Sequence, residues 1–286
     1  MELLAPAKIN LSLDILGRRP DGYHNLRMVM QSISLYDRVS LESAEKTGVE
    51  VCCSEDSVPC DEKNTVVRAA YAFFCATGIQ SEGLLFRIEK KIPQQAGLGG
   101  GSADAAAALK LLNEKYCTDL SLQDLQQIGL QAGADIPFCL QGGTALTEGI
   151  GEKVKPLPEM PPCQIVVCRP SVGISTKEAY EAFDHSGGHA SQYSAKVLTG
   201  LNSGNLKQVA ASLGNVFELT SVPEEIHKIE QIMMKSGAAG ACMTGSGSAV
   251  FGLFCEIESA ETCRSILSNN YPFVFLCHPV FWGQQK

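Results

Sequence analysis

Pro93-Gln94-Gln95-Ala96-Gly97-Leu98-Gly99-Gly100-Gly101-Ser102-Ala103-Asp104-Ala105-Ala106 decides how the rest of the chain is read. The run follows an alternating segment, Leu84 to Glu89, that reads as a strand. It opens into Ala103 to Leu112, a strong helix former. Four glycines in the five positions 97–101 leave almost no Cβ atoms, so another molecule can approach the backbone closely. Ser102 is the expected N-cap, and the glycines stop at it instead of scattering as in a flexible linker. A glycine loop that feeds a helix N-terminus presents unpaired N–H groups and the positive end of a helix dipole, which makes a phosphate site. The common nucleotide motifs do not fit. No Gly-Lys pair occurs in the chain, so there is no Walker A loop. The dinucleotide spacing fails as well, ending on Ser102 from Gly97 and on Asp104 from Gly99.

Composition bounds what such a site can serve. The chain has 286 residues, 45 % hydrophobic and 19 % charged, enough for one large core or two moderate ones. Its net charge of −8, from 31 acidic against 23 basic residues, argues against a nucleic-acid partner. An anionic ligand must be held by backbone dipoles and a few placed cations. The 12 cysteines form no C-x-x-C pair and mostly sit in apolar runs, which fits reduced, buried thiols in a cytoplasmic protein. Lys8, Asn10 and Asp14 interrupt the apolar N-terminus, so it lacks a signal-peptide core, and no apolar run reaches a membrane span of roughly 18 residues.

Outward from the loop, Lys8 to Ile15 alternates apolar and polar residues and reads as a half-buried strand with a polar face. Pro20-Asp21-Gly22 is a turn. Leu26–Leu35, Val39–Glu42 and Val49–Cys53 read as further strands. Asn64 to Thr77 reads as a helix ended by Gly78, and Ser121 with Asp124 as a capping box for a helix ending near Gly133. Gly133-Ala134-Asp135-Ile136-Pro137 reads as a loop, and Gly142–Gly151 as a strand or hairpin. Four prolines in residues 156–162 mark a boundary between lobes 1–155 and 156–286. Beyond it come a strand at Gln164–Cys168 and helices near 176–184, 205–213 and 223–236, the last with Ser221 as cap and Gly237 as stop. Strands at Ala241–Thr244 and Ala249–Cys255 flank a second glycine loop, followed by a helix near 258–268 and a strand near 272–277. The order is α+β, not a doubly wound sheet.

Three motifs stand in order: Ala5-Pro6-Ala7-Lys8-Ile9-Asn10-Leu11 with Asp21-Gly22-Tyr23-His24 downstream, the glycine loop, and Thr244-Gly245-Ser246-Gly247-Ser248-Ala249. Together they resemble the GHMP kinase superfamily. With Gly133-Ala134-Asp135-Ile136-Pro137 added, the resemblance narrows to the branch whose substrate is 4-diphosphocytidyl-2-C-methyl-D-erythritol, a cytidine-diphosphate-linked sugar alcohol of the non-mevalonate isoprenoid route. It covers nearly the whole chain. It implies a two-lobed fold, with an N-terminal ATP lobe like ribosomal protein S5 domain 2 and a ferredoxin-like C-terminal lobe. It also implies phosphorylation of the substrate's 2-hydroxyl by ATP, with Mg²⁺ expected and its ligands not readable.

The resemblance assigns roles residue by residue. Pro93, Gln94, Gln95, Ala96, Gly97, Leu98, Gly99, Gly100, Gly101, Ser102 and Ala103 bind ATP, with Asn64 near the adenine. Asp135 and Lys8 are catalytic. Asp135 is the base or the group that orients the hydroxyl, since a loose transition state demands little base strength. Lys8 is the cation, and a Lys8–Asp135 contact is expected. Asn10, Tyr23, His24, Tyr180, Thr244, Gly245 and Gly247 bind substrate. Tyr23 and Tyr180 stack on the cytosine, and His24 reads its edge. In the residues alone each has a plainer alternative: a capping Asp, a solvated Lys, a Tyr packed on a strand, a His capping a turn, Tyr180 in a helix core, Asn64 as an N-cap. The chain departs from the family pattern at Ala103, where a second serine is usual, and Asp104 could stand on the metal side. Two rivals remain: a GHMP-fold kinase of another alcohol, mevalonate or homoserine, and a catalytically silent ligand sensor. Presence of both Lys8 and Asp135 argues against the second, and an aromatic residue beside an edge reader suits a nucleobase. Oligomeric state leaves no mark in the sequence.

Overall fold

The computed structural model describes residues 1–187, 191–220 and 222–281. Strand β1 (Glu2–Arg18) turns at Gly22, whose φ of 88° is left-handed, into β2 (His24–Ser43). The two pair antiparallel from Glu2 opposite Ser40 to Arg18 opposite His24. The two segments expected at Leu26–Leu35 and Val39–Glu42 are one strand. Buried Asp37 breaks the apolar pattern between them without breaking the ladder, because its carboxylate finds partners below the loop. Next come β3 (Gly48–Cys53), α1 (Thr65–Thr77), β4 (Gly83–Glu89), α2 (Gly100–Lys115), α3 (Leu122–Leu130), α4 (Ile136–Gln141), β5 (Thr144–Gly149) and β6 (Lys153–Pro156). Asn64 caps α1 by accepting from the Val66 N–H at 2.8 Å, and Gly78 ends it in the left-handed conformation. Ser121 and Asp124 form the expected capping box of α3.

The second half holds β7 (Gln164–Arg169), α5 (Thr176–His185), α6 (Tyr193–Asn202), α7 (Leu206–Ala210), β8 (Gly214–Asn215), a 3₁₀ turn (Val216–Leu219), α8 (Glu224–Lys235), β9 (Gly240–Met243), β10 (Val250–Phe254), α9 (Ile257–Ser268) and β11 (Phe273–Cys277). Ser221, expected to cap α8, lies outside the described residues, and the N-cap position is Pro223. Two sheets result. In the first the order is β3-β4-β2-β1-β8, with β5 beside β2 and β6 beside β5. In the second it is β11-β7-β10-β9, antiparallel throughout, with α8 against β9 and β10 and α9 against β7 and β11. That strand order with helices in βαββαβ sequence is the ferredoxin-like arrangement. The architecture is α+β, as the order of elements implied.

Helix α2 lies at the centre of the first half. Ala103, Ala105, Ala106, Ala107 and Ala108 are each fully buried. Side chains this small let it pack at once against α1, α4, β1 and β2. Its start differs from expectation. Gly99, at φ 69°, is the N-cap, and the helix begins at Gly100, so Ser102 lies in the first turn with its hydroxyl not used as a cap.

The polar face of β1 is buried, not half-solvated: Lys8, Asn10, Ser12 and Asp14 are all below 5 % exposed. Two unexpected elements cover part of it. The two residues of β8 pair parallel with Ser12 and Leu13. Helix α6 has no cap of its own at Gln192, and takes one from β1. Asp14 accepts from the Tyr193 N–H at 3.0 Å, the Ser194 N–H at 2.8 Å and the Ser191 hydroxyl at 2.6 Å. A buried carboxylate thus satisfies orphan donors at the positive end of a helix. Asp14→Ala should cost about 2–3 kcal/mol by leaving those donors unpaired. Asp14→Asn should cost less, and urea unfolding of the two variants checks the order.

Candidate active site

Two adjoining cavities flank the glycine loop. One, of about 530 Å³, is floored by Lys8, Asn10 and Met28 of β1 and β2 and walled by Asp135, Tyr180 and the loop 245–247. The other, of about 360 Å³, is lined by Asn64, Thr65, Lys90 and residues 92–102. Gln95, Gly97, Gly99 and Ser102 border both. The loop is therefore a partition with a cavity on each side.

Hydrogen bonds fix the partition from two directions. The Lys8 N–H donates to the Leu98 carbonyl at 3.0 Å, and the Ala249 N–H to the Ala96 carbonyl at 3.1 Å. Glycines are needed where these chains touch. A Cβ on Gly97 would lie 2.0 Å from the Thr244 carbonyl oxygen, and one on Gly99 would lie 2.9 Å from the Lys8 stem. The second glycine loop thus seals against the first one, with Gly245 in contact with Gly97.

Lys8 and Asp135 meet as the sequence led one to expect, with Nζ 3.7 Å from Oδ2. Lys8 is almost wholly buried and also donates to Asn10 Oδ1 at 2.7 Å. Asp135 stands at the N-cap position of α4 but makes no capping hydrogen bond, which removes the plainer reading of a helix cap. Ile136 and Pro137, read as loop, already belong to that helix. Thr244 is buried and does not face the cavity. It accepts from the Asn10 N–H at 3.0 Å, and its Oγ1 lies 3.2 Å from both Asn10 Oδ1 and the Gly97 carbonyl, so it braces the floor from behind. Gly245 and Gly247 do line the cavity.

The aromatic residues are arranged less simply. Tyr180 lines the cavity, but one face stacks on His24 at 5.0 Å, and its ring meets Phe217 edge-on. His24 is buried, outside the cavity lining, and its Nε2–H donates to Asp184 Oδ1 at 2.8 Å. Tyr23 is 63 % exposed on the turn and lies outside the lining as well. Asn64 borders the second cavity with both amide atoms engaged, Oδ1 by the Val66 N–H and Nδ2 by the Pro59 carbonyl. Pro93, Gln94, Ala96, Leu98, Gly100 and Gly101 border that cavity too, whereas Ala103, in the first turns of α2, is buried and lines neither cavity.

Sequence reasoning missed the ion cluster beneath the loop. Lys90, at the end of β4, donates to Asp37 and, at 2.7 Å, to Asp104 Oδ2. Asp37 also accepts the Lys91 and Ile92 N–H groups at 2.6 and 2.9 Å. Asp104, considered for the metal side, is committed to this pair, although its Oδ1 is buried without a protein partner. The usable signal was Lys90 itself, a charge placed where an apolar strand enters the glycine loop. One lysine faces two carboxylates, and burial pushes the Asp104 carboxyl up to about 7.

Among the described residues no group of three His, Cys, Asp or Glu side chains could hold a metal, and no helix is long and apolar enough to cross a membrane. Residues 64–143 match the family of GHMP kinases N terminal domain, and residues 197–272 the family of GHMP kinases C terminal. The chain is 45 % identical over 256 residues, 89 % of each chain, to a 4-diphosphocytidyl-2-C-methyl-D-erythritol kinase of Caldicellulosiruptor bescii. It is 44 % identical to the enzyme of that name from Desulfitobacterium hafniense, over 99 % of this chain and 97 % of the other. Its structure superposes on a crystal structure of 4-(cytidine 5'-diphospho)-2C-methyl-D-erythritol kinase with a TM-score of 0.82 at 33 % identity, covering 98 % and 99 % of the two chains. The fold is shared with a homoserine kinase from Cytophaga hutchinsonii, at a TM-score of 0.77 and 20 % identity, covering 98 % and 94 %.

The raised Asp104 carboxyl sets a pH dependence. The native state holds this proton above the unfolded value near 3.8, so the stabilisation is full below pH 4 and is lost as pH rises through about 7. Asp104→Asn should flatten that slope between pH 4 and 7, as measured by urea unfolding at stepped pH.

Proposed function

The chain belongs to the 4-diphosphocytidyl-2-C-methyl-D-erythritol kinases of the GHMP family, and from that premise we propose how its residues share the work. The reaction moves the γ-phosphoryl group of ATP to the 2-hydroxyl of the cytidine-diphosphate-linked sugar alcohol, and gives the 2-phosphate. The observation that carries the division of labour is the Lys8–Asp135 pair, 3.7 Å apart, facing a loop with a cavity on either side. ATP takes the smaller cavity, with its phosphates on the backbone of residues 95–102 at the start of α2. The sugar alcohol takes the larger one. Its hydroxyl approaches Asp135, which orients it and receives its proton, while Lys8 sets charge against the oxygens in transfer.

Asn10, held by Lys8 and Thr244, supplies an amide at the floor. Gly245 and Gly247 give backbone to the substrate's diphosphate side. The cytosine packs on the face of the Tyr180 wall, and Tyr23 closes over it from the turn. His24, fixed by Asp184, stacks behind Tyr180 and holds it in place, and it would read the base's edge only once Tyr180 shifts to admit the cytosine. Asn64 rims the adenine end. A Mg²⁺ ion would be held mostly by phosphate oxygens, with Ser102 on the border of both cavities and Asp135 in the wall of the larger one as the protein oxygens beside it. When bound it neutralises the β and γ phosphates. We place the lobe boundary between residues 155 and 156, at the last residue of β6. We place the enzyme in the cytoplasm, where its cysteines, with Cys163, Cys168 and Cys277 pushed up to about 12 by burial, remain thiols.

An ATP-consumption assay with the cytidine substrate beside mevalonate and homoserine tests the reading. Turnover is expected with the cytidine substrate alone. Asp135→Asn should lower kcat by about 10²–10⁴-fold with the fold intact by circular dichroism. Turnover of another alcohol would overturn the cytosine assignments of Tyr23, His24 and Tyr180.

A further inference from the structure

We propose that the Gln95 side-chain amide donates a hydrogen bond to the phosphoryl group as it crosses from one cavity to the other, an inference that rests on the kinase reading above. Of the four residues bordering both cavities, Gly97 and Gly99 have no side chain, and Ser102 has a short one inside the first turn of α2. Gln95 alone carries a polar group on a long stem at that seam.

Its backbone adds a second observation. Gln95 sits at φ 50°, in the left-handed region that glycine occupies without strain and glutamine rarely does. Gly97 and Gly99, two and four residues on, take the same conformation at 74° and 69°. A glycine would meet the demand of the loop at position 95, so the side chain is kept against a local cost. Such outliers gather at functional sites.

The amide is also available. Gln95 is exposed and makes no hydrogen bond with any described residue, whereas its half-buried neighbour Gln94 is tied down, Nε2 donating to Ser57 Oγ at 2.8 Å. The cations closest to the seam are engaged, Lys8 by Asn10 and Asp135 and Lys90 by Asp37 and Asp104, and Lys63 lines only the second cavity. In the transfer, the bond from the γ-phosphorus to the β,γ-bridging oxygen breaks and one to the sugar oxygen forms, with the hydroxyl proton passing to Asp135. The non-bridging oxygens stay on phosphorus throughout and remain free to accept from an amide N–H. A neutral donor there stabilises the group in flight without holding the product phosphate as a further cation would.

Steady-state kinetics and thermal unfolding of Gln95→Gly, Gln95→Ala and Gln95→Glu test this. Gln95→Gly relieves the backbone and removes the amide. Its Tm should equal or exceed the wild type's while kcat falls on the order of ten- to a hundred-fold. Gln95→Ala keeps the strained backbone, so its Tm should be the lower of the two while its kcat matches that of Gln95→Gly. Gln95→Glu, of the same shape but negative beside the phosphates, should fall further. KM for the cytidine substrate should stay within about threefold in all three, because the contact acts in the transition state. Gln95→Gly with kcat within about twofold of wild type, or kcat that tracks Tm across the series, would overturn the proposal. In both those cases the wild type is active. A wild type inactive on the cytidine substrate would instead overturn the kinase reading and this inference with it.

Discussion

The hydrogen bond from the Lys8 amide to the Leu98 carbonyl is the constraint on which the site depends. It docks the glycine loop on β1, and so sets the loop against the strand that carries Lys8 and Asn10. The same residue sends its ammonium to Asp135. One position therefore fixes the distance between the glycine loop and Asp135. Its side chain also dictates composition: the Lys8 stem runs so close to Gly99 that only a residue without a Cβ fits. The glycines of this loop answer two demands, left-handed backbone at 97 and 99 and contact distance to Thr244 and Lys8. Open backbone on the border of the two cavities is a third use of the same atoms' absence.

Much of this was legible in the chain, for physical reasons that can be named. Alternation exposed β1 because its two faces differ in polarity, and the Gly-Ala-Asp segment placed Asp135 where Lys8 meets it. The reading failed where a local signal was answered from far away. Ser102 has the chemistry of a cap, yet Gly99 takes that place because its left-handed backbone starts the helix three residues earlier. Tyr193–Asn202 carries no cap and contains Gly200, so nothing local announces α6; Asp14 supplies the missing acceptor across 179 residues. The two residues of β8 are too few to show a period. A polar strand face looks solvated until those distant elements are laid over it.

The ion cluster beneath the loop escaped for a related reason. Asp37 interrupts an apolar strand and reads as its end, when it is a buried acceptor for two backbone N–H groups and for Lys90. Only the fold shows that it and Lys90 both face Asp104 under the start of α2. Buried charge at this point holds the approach to the loop, residues 90–92, in one path.

The pairing of β8 with β1 has a consequence for how the chain comes into being. Gly214 and Asn215 complete an edge begun at Ser12 and Leu13. During translation at about 5–20 residues per second, roughly 10–40 s separate the emergence of the two partners from the ribosome. Over that interval the leading strand, with a lysine, an asparagine and an aspartate destined for burial, has no permanent cover. The nascent half-chain already holds Lys8 but can finish neither its sheet nor its floor until the trailing half arrives, so a truncated product carries an open, pairing-competent border.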